Sequence, residues 1–228
     1  MPESLNLTLA RMAQDIYGST SAMTGEWTLQ RRMEDGNFLA GLYVPTQRGR
    51  PPVISFRGSA NWQDWVIADA GGIGLSLNAF AMKLNTAVDF TSRMKVSFPN
   101  LWLTGHSLGG AFVQLVAAIC EVPGMTFNAP GVLNLLNQMS SNPLVSAIGG
   151  IGGGVLSVST LGFTNLLNMA AAASNDAAFS PIQNFRGEWD PVSQVGRHVG
   201  AEVQTIRVAS IAPHPHSMVP IIRALESR

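Results

Sequence analysis

The chain has one cysteine among its 228 residues, so it forms no internal disulfide and does not depend on an oxidising compartment. Charge is scarce as well. Lys and Arg number 14, Asp and Glu 14, and charged residues make up 12% of the chain against a usual ~25%. No basic stripe is present to neutralise phosphates, which excludes nucleic acid as a partner. His214-Pro215-His216 brings two imidazoles together, but Cys120 stands alone and no spaced carboxylate pair completes a ligand set, so no metal is expected. Nor does the first segment read as a cleavable leader. Between Met1 and Tyr17 the residues Leu5, Leu9, Met12, Ala13 and Ile16 fall on one face. That is an amphipathic helix, and it predicts a cytoplasmic protein or one exported by a leaderless route.

What is present centres on Gly105-His106-Ser107-Leu108-Gly109, directly behind the apolar run Leu101-Trp102-Leu103-Thr104. The pentapeptide reads as a nucleophile elbow. A serine at a sharp strand-to-helix turn needs small neighbours, because the first helical turn must approach the strand closely. Gly105, Gly109 and Gly110 meet that need, and the apolar segment Ala111 to Cys120 supplies the helix. Its N-terminus faces the serine and favours negative charge there, where an oxyanion would form.

Further segments give the motif its context. Pro52 to Phe56 reads as a strand running into the loop Arg57-Gly58-Ser59, placed where a second oxyanion donor is needed. Other strands are predicted near Trp27 to Met33, Phe38 to Val44, Gly124 to Asn128, Ile182 to Arg186 and Val203 to Val208, and helices through Leu77 to Lys95 and at the C-terminus. Strands alternating with helices predict a single α/β domain with a mostly parallel central sheet after an early hairpin. Ser107, Asp190 and His216 follow one another in the chain order of α/β-hydrolases, each just after a segment that reads as a strand.

Taken together, Phe56-Arg57-Gly58-Ser59, Asp64-Trp65, the elbow with Gly110, Phe127-Asn128-Ala129-Pro130-Gly131 and Asp190-Pro191-Val192 resemble the class 3 (fungal-type) lipases of the α/β-hydrolase fold. The resemblance runs from about residue 53 to residue 220. It implies acyl-ester hydrolysis by a Ser-Asp-His triad, without a cofactor. Position by position, it implies Ser107 as nucleophile, Asp190 as acid, and Ser59 and the Leu108 backbone N–H as the oxyanion hole. In the family the base heads the closing helix. That favours His216, which leads into Ser217-Met218-Val219-Pro220, over His214 as the alternative base. His106 inside the elbow is expected to pack structurally, and His198 to line the acid loop. Asp176 is the alternative acid, with no strand pattern before it. Asp64 and Asp69 are read as braces of the oxyanion loop, and Trp62, Trp65 and Trp102 as core more than substrate channel.

From Glu121 to Asp176 no charged residue intervenes. A membrane span through this stretch would put Ser107 and Asp190 on opposite sides of the bilayer, so residues 132–180 are read as an apolar cap or lid over an acyl site. A buried helical core or a dimer interface would share this composition. The glycines at 149, 150, 152, 153 and 154 match neither the phosphate-loop nor the Rossmann spacing. The expected partner is a lipid or small acyl-ester substrate, with lipid-interface contact through residues 132–175. The rival reading is a membrane-binding or pore-forming module that works through this insert. A thioesterase or peptidase with the same triad is a further alternative.

Overall fold

Short strands without a polar face decide the architecture. In the computed structural model, residues 4–23, 25–36, 38–58, 74–133, 135, 181–208 and 214–228 are described. Val53–Phe56 (β3) and Gly124–Phe127 (β5) are buried at every position, and Trp102–His106 (β4) at all but its first. Strands with no solvated face must be covered on both sides, which a parallel sheet with crossover helices provides.

Seven strands form one sheet in sequence order among the described residues. Trp27–Asp35 (β1) and Phe38–Pro45 (β2) make the expected hairpin, with a register shift between Leu29 and Arg31, and β2 pairs antiparallel with β3. From β3 onward the pairing is parallel, through β4, β5, Ile182–Gly187 (β6) and Gln204–Ile206 (β7). This is the mostly parallel sheet flanked by helices that the alternating pattern predicted.

Period-2 alternation sorts the strand residues into two cores. Ile54, Phe56, Leu103 and Ile182 join the cluster containing Gly74–Ser97 (α2) and Leu108–Cys120 (α3). Val53, Met125, Phe127 and Phe185 join the other, with Leu5–Asp15 (α1) and Met218–Glu226 (α4). Phe80 stacks on Phe112 with ring centroids 4.7 Å apart, locking α2 to α3. On the opposite face two buried strand hydroxyls reach the backbone of α1, Ser55 Oγ to the Met12 carbonyl at 3.0 Å and Thr104 Oγ1 to the Leu9 carbonyl at 3.2 Å. Helix α1 is thereby fixed over β3 and β4, and the residues just past its end come to rest beside the elbow.

Cys120 is a buried free thiol at the end of α3, and burial raises its pKa. Trp102 packs against the α1 and α4 core. The proposed cap at 132–180 lies outside the described residues except at its first positions, as do Ser59, Asp176, Asp64, Asp69, Trp62 and Trp65. Among the described residues no helix is long and apolar enough to cross a membrane.

Candidate active site

The end of β4 turns into α3 within a single residue. Ser107 has φ 58° and ψ −130°, a left-handed backbone conformation for a side chain with a Cβ. Such a residue costs on the order of 1–3 kcal/mol and persists where its surroundings over-determine it. Here they do. The Ser107 N–H donates to the Phe127 carbonyl at 3.1 Å, and its own carbonyl accepts from Gly110 and Ala111, starting the helix. Two glycines are required by close approach rather than by φ. A Cβ on Gly105 would stand 2.5 Å from the Gly109 carbonyl carbon, and one on Gly109 would collide with the Phe56 carbonyl.

Ser107 Oγ does not cap the helix it precedes. It lies 2.8 Å from His216 Nε2, and His216 Nδ1 lies 2.7 Å from Asp190 Oδ1. Ser107 is 2% exposed and Asp190 0%, whereas the His216 side chain keeps 13% exposure. Each group comes from the C-terminal edge of the sheet: Ser107 from the end of β4, Asp190 from the turn after β6, and His216 from the turn that Ser217 caps into α4. The second Asp190 oxygen accepts from the Ser193 N–H at 2.8 Å, and the Asp190 carbonyl accepts from Gln194 Nε2 at 3.2 Å. A carboxylate held this way can orient an imidazole and stabilise its cation. An imidazole so oriented can take a proton from a hydroxyl.

The four histidines part company. His214 is exposed, and its carbonyl accepts from the Ser217 N–H at 2.9 Å. His198 Nε2 lies 2.8 Å from the Ala129 carbonyl, which ties the acid loop to the exit of β5, and burial lowers its pKa. Gln114 braces the same junction, donating to the Pro130 carbonyl at 2.8 Å and accepting from the Val199 N–H at 2.9 Å. His106 is buried, with its ring centroid 4.7 Å from that of His216. Its Nε2 lies 2.7 Å from the His216 backbone carbonyl and its Nδ1 3.1 Å from the Tyr17 hydroxyl. Burial first, and the neighbouring His216 second, lower the His106 pKa to about 3.

That shift has a stability consequence. In the unfolded chain the ring takes up its proton near pH ~6.5, and in the folded chain only near about 3. The unfolded state therefore binds more protons between those limits. The contribution of His106 is fully present above pH ~6.5 and is lost as pH falls toward about 3, at up to about 1.4 kcal/mol per pH unit. His106→Gln is expected to flatten this part of the stability curve, as read from urea midpoints between about pH 7 and pH 4. A slope unchanged from the parent would show that His106 titrates alike in both states.

Leu108 opens α3, where the first-turn amides have no acceptor within the helix. Among the described residues no group of His, Cys, Asp or Glu is arranged to hold a metal ion.

Residues 9–149 match the family model described as "Phospholipase-like: Tle-like phospholipase domain". The chain belongs to the Tle-like phospholipase family. Its class 3 lipase-like character agrees with the motif resemblance drawn from the sequence. The phospholipase-like chain is 25% identical over 217 residues to the extracellular phospholipase A1 of Serratia liquefaciens, covering 85% of this chain and 66% of that protein. A 48-residue stretch is 50% identical to the lipase-named ATG15 protein of Eremothecium gossypii, covering 20% of this chain and 9% of that one. The chain thus spans less than two thirds of the length of either relative. Among solved structures, a triacylglycerol lipase from Penicillium expansum superposes with a TM-score of 0.52 at 14% identity, over 89% of this chain and 79% of that one. This likeness establishes the lipase α/β-hydrolase fold for the phospholipase-like chain.

Proposed function

We propose that the protein hydrolyses carboxylic esters of lipids, phospholipid acyl esters foremost, with Ser107 as nucleophile, His216 as general base and Asp190 as the acid that orients it. The observation carrying this reading is the unbroken hydrogen-bond chain from Asp190 through His216 to Ser107 at the head of a helix. In the first half-reaction Ser107 Oγ attacks the ester carbonyl while its proton passes to His216 Nε2. Collapse of the tetrahedral intermediate breaks the bond to the alcohol, which leaves with that proton. In the second half water attacks the acyl-enzyme, again giving its proton to His216, and frees the acid and Ser107.

The Leu108 N–H and, by its match to the Arg-Gly-Ser motif, Ser59 would face the developing oxyanion. In measured systems one such donor is worth about 2.7–4 kcal/mol. Family membership and the likeness to a phospholipase A1 support the choice of phospholipid as substrate.

The test combines phosphatidylcholine vesicles, nitrophenyl esters of increasing acyl length assayed below and above micelle formation, and a serine-reactive phosphonate. Fatty-acid release and one label, on the peptide carrying Ser107, are the expected results. A label on any other serine, or no hydrolysis of any ester, would overturn the proposal.

A further inference from the structure

The catalytic reading leaves His106 and Tyr17 without a part, yet both are aimed at its machinery. A backbone carbonyl can only accept, so the 2.7 Å contact between His106 Nε2 and the His216 carbonyl requires the proton on Nε2. The ring is neutral, with a pKa of about 3, so Nδ1 is then a bare acceptor. The Tyr17 hydroxyl lies 3.1 Å from Nδ1 and 3.4 Å from the His106 carbonyl; both are acceptors, so Tyr17 donates to His106, with the shorter contact to Nδ1. Tyr17 Oη in turn accepts from the Gly58 N–H at 3.0 Å.

The result is one directed sequence of bonds. Gly58 N–H donates to the Tyr17 hydroxyl, Tyr17 O–H to His106 Nδ1, and His106 Nε2–H to the carbonyl of His216. Asn128, at φ 48°, supports the far end, with Nδ2 3.4 Å from the same carbonyl and Oδ1 accepting from the Gly187 N–H at 2.8 Å.

We infer that Tyr17 and His106 are positioning residues. They fix the backbone of the base His216 to the elbow that carries Ser107 and to the loop residue that precedes Ser59. The inference rests on the triad reading above and adds a coupling to it. His106 adjoins Ser107 in sequence, so the backbone that sets the nucleophile also carries the donor that holds the base. Gly58 adjoins Ser59, so the same bonds extend to the loop proposed to hold the oxyanion. Tyr17 reaches this position because Ser55 and Thr104 fasten α1 across the sheet. As a residue Tyr17 is 39% exposed, but its hydroxyl is desolvated and its pKa is raised to about 12, so it remains a donor at any working pH. A neutral His106 serves the reaction as well. The base becomes a cation during turnover, and a second charge 4.7 Å away, centroid to centroid, would oppose it.

Tyr17→Phe and His106→Phe are expected to lower kcat about 10- to 100-fold on a soluble nitrophenyl ester, since a misplaced catalytic group loses rate steeply with distance, while KM stays within about twofold. His106→Gln, whose amide N–H reaches where Nε2–H stood, is expected to recover part of the rate that His106→Phe loses. A damaged fold would not give a kcat effect at constant KM together with rescue by one amide. Should Tyr17→Phe be poorly folded, the comparison of Gln with Phe at position 106 still decides. Wild-type kcat in Tyr17→Phe, or equal kcat for His106→Gln and His106→Phe, would overturn the coupling and leave the triad reading intact. Failure of the triad itself would appear separately, as turnover that survives Ser107→Ala.

Discussion

Ser107→Ala is expected to reduce kcat on acyl esters by at least about 10⁴-fold. In a triad that acts as a unit, loss of the nucleophile removes covalent catalysis altogether, and what remains is the contribution of the oxyanion donors and of substrate binding. The substitution is small in every other respect. Alanine retains the Cβ at φ 58° and leaves the backbone bonds of Ser107 to Phe127, Gly110 and Ala111 in place, and the serine hydroxyl has no capping role to lose. Folding stability should therefore change little, and a urea midpoint near that of the parent checks this. Labelling by a serine-reactive phosphonate should vanish together with turnover. The same variant separates the enzyme from the membrane-active rival. Vesicle leakage that persists when hydrolysis is gone would belong to another part of the chain, whereas leakage lost with hydrolysis would be its product. Turnover at the parental rate would end the nucleophile assignment.

The fold was legible wherever local pattern and tertiary burial agree. β3 and β5 carry no charged residue because both faces of the sheet are covered, and their polar side chains, Ser55 and Thr126, are buried and hydrogen-bonded within the fold. The elbow was legible because its glycines are dictated by contacts as close as that of Gly109 with the Phe56 backbone. Those same glycines hid the start of α3. Propensity alone begins the helix at Ala111, yet it begins at Leu108, because the absence of a Cβ on Gly109 and Gly110 is what lets the first turn sit against β3 and Ala129. The choice between His214 and His216 rested on which one heads a helix, and the hydrogen bonds join His216 to Ser107 and Asp190.

The relay through Tyr17 left no trace in the sequence. Tyr17 and His106 are 89 residues apart, and no periodicity in α1 reports where the residue beyond its end will point. In the sequence His106 reads as structural packing, because nothing local to the elbow offers its ring a partner. Its actual partner, the carbonyl of His216, becomes visible only once the two loops are brought together. Asn128 is similar. Its left-handed φ and its bonds to Gly187 and His216 are tertiary facts about a residue that reads, in sequence, as the last of a strand.

Asp190→Asn is expected to lower kcat by about 10⁴-fold at neutral pH with little change in KM, and the reason lies in where the two carboxylate oxygens point. Oδ2 accepts from the Ser193 N–H, and Oδ1 faces His216 Nδ1. An asparagine in this pocket must keep its oxygen toward Ser193, since an amide nitrogen there would set two donors against each other at a site with no exposure. The amide N–H then faces His216 and donates to Nδ1. Nδ1 can accept only by giving up its proton, so the imidazole carries its hydrogen on Nε2, the atom that should receive the proton of Ser107. The geometry survives and the tautomer is wrong. A phosphonate-labelling rate that falls in proportion to kcat, with an unchanged urea midpoint, would support this account. A variant that keeps a tenth or more of the parental kcat would move the acid elsewhere, to Asp176 first.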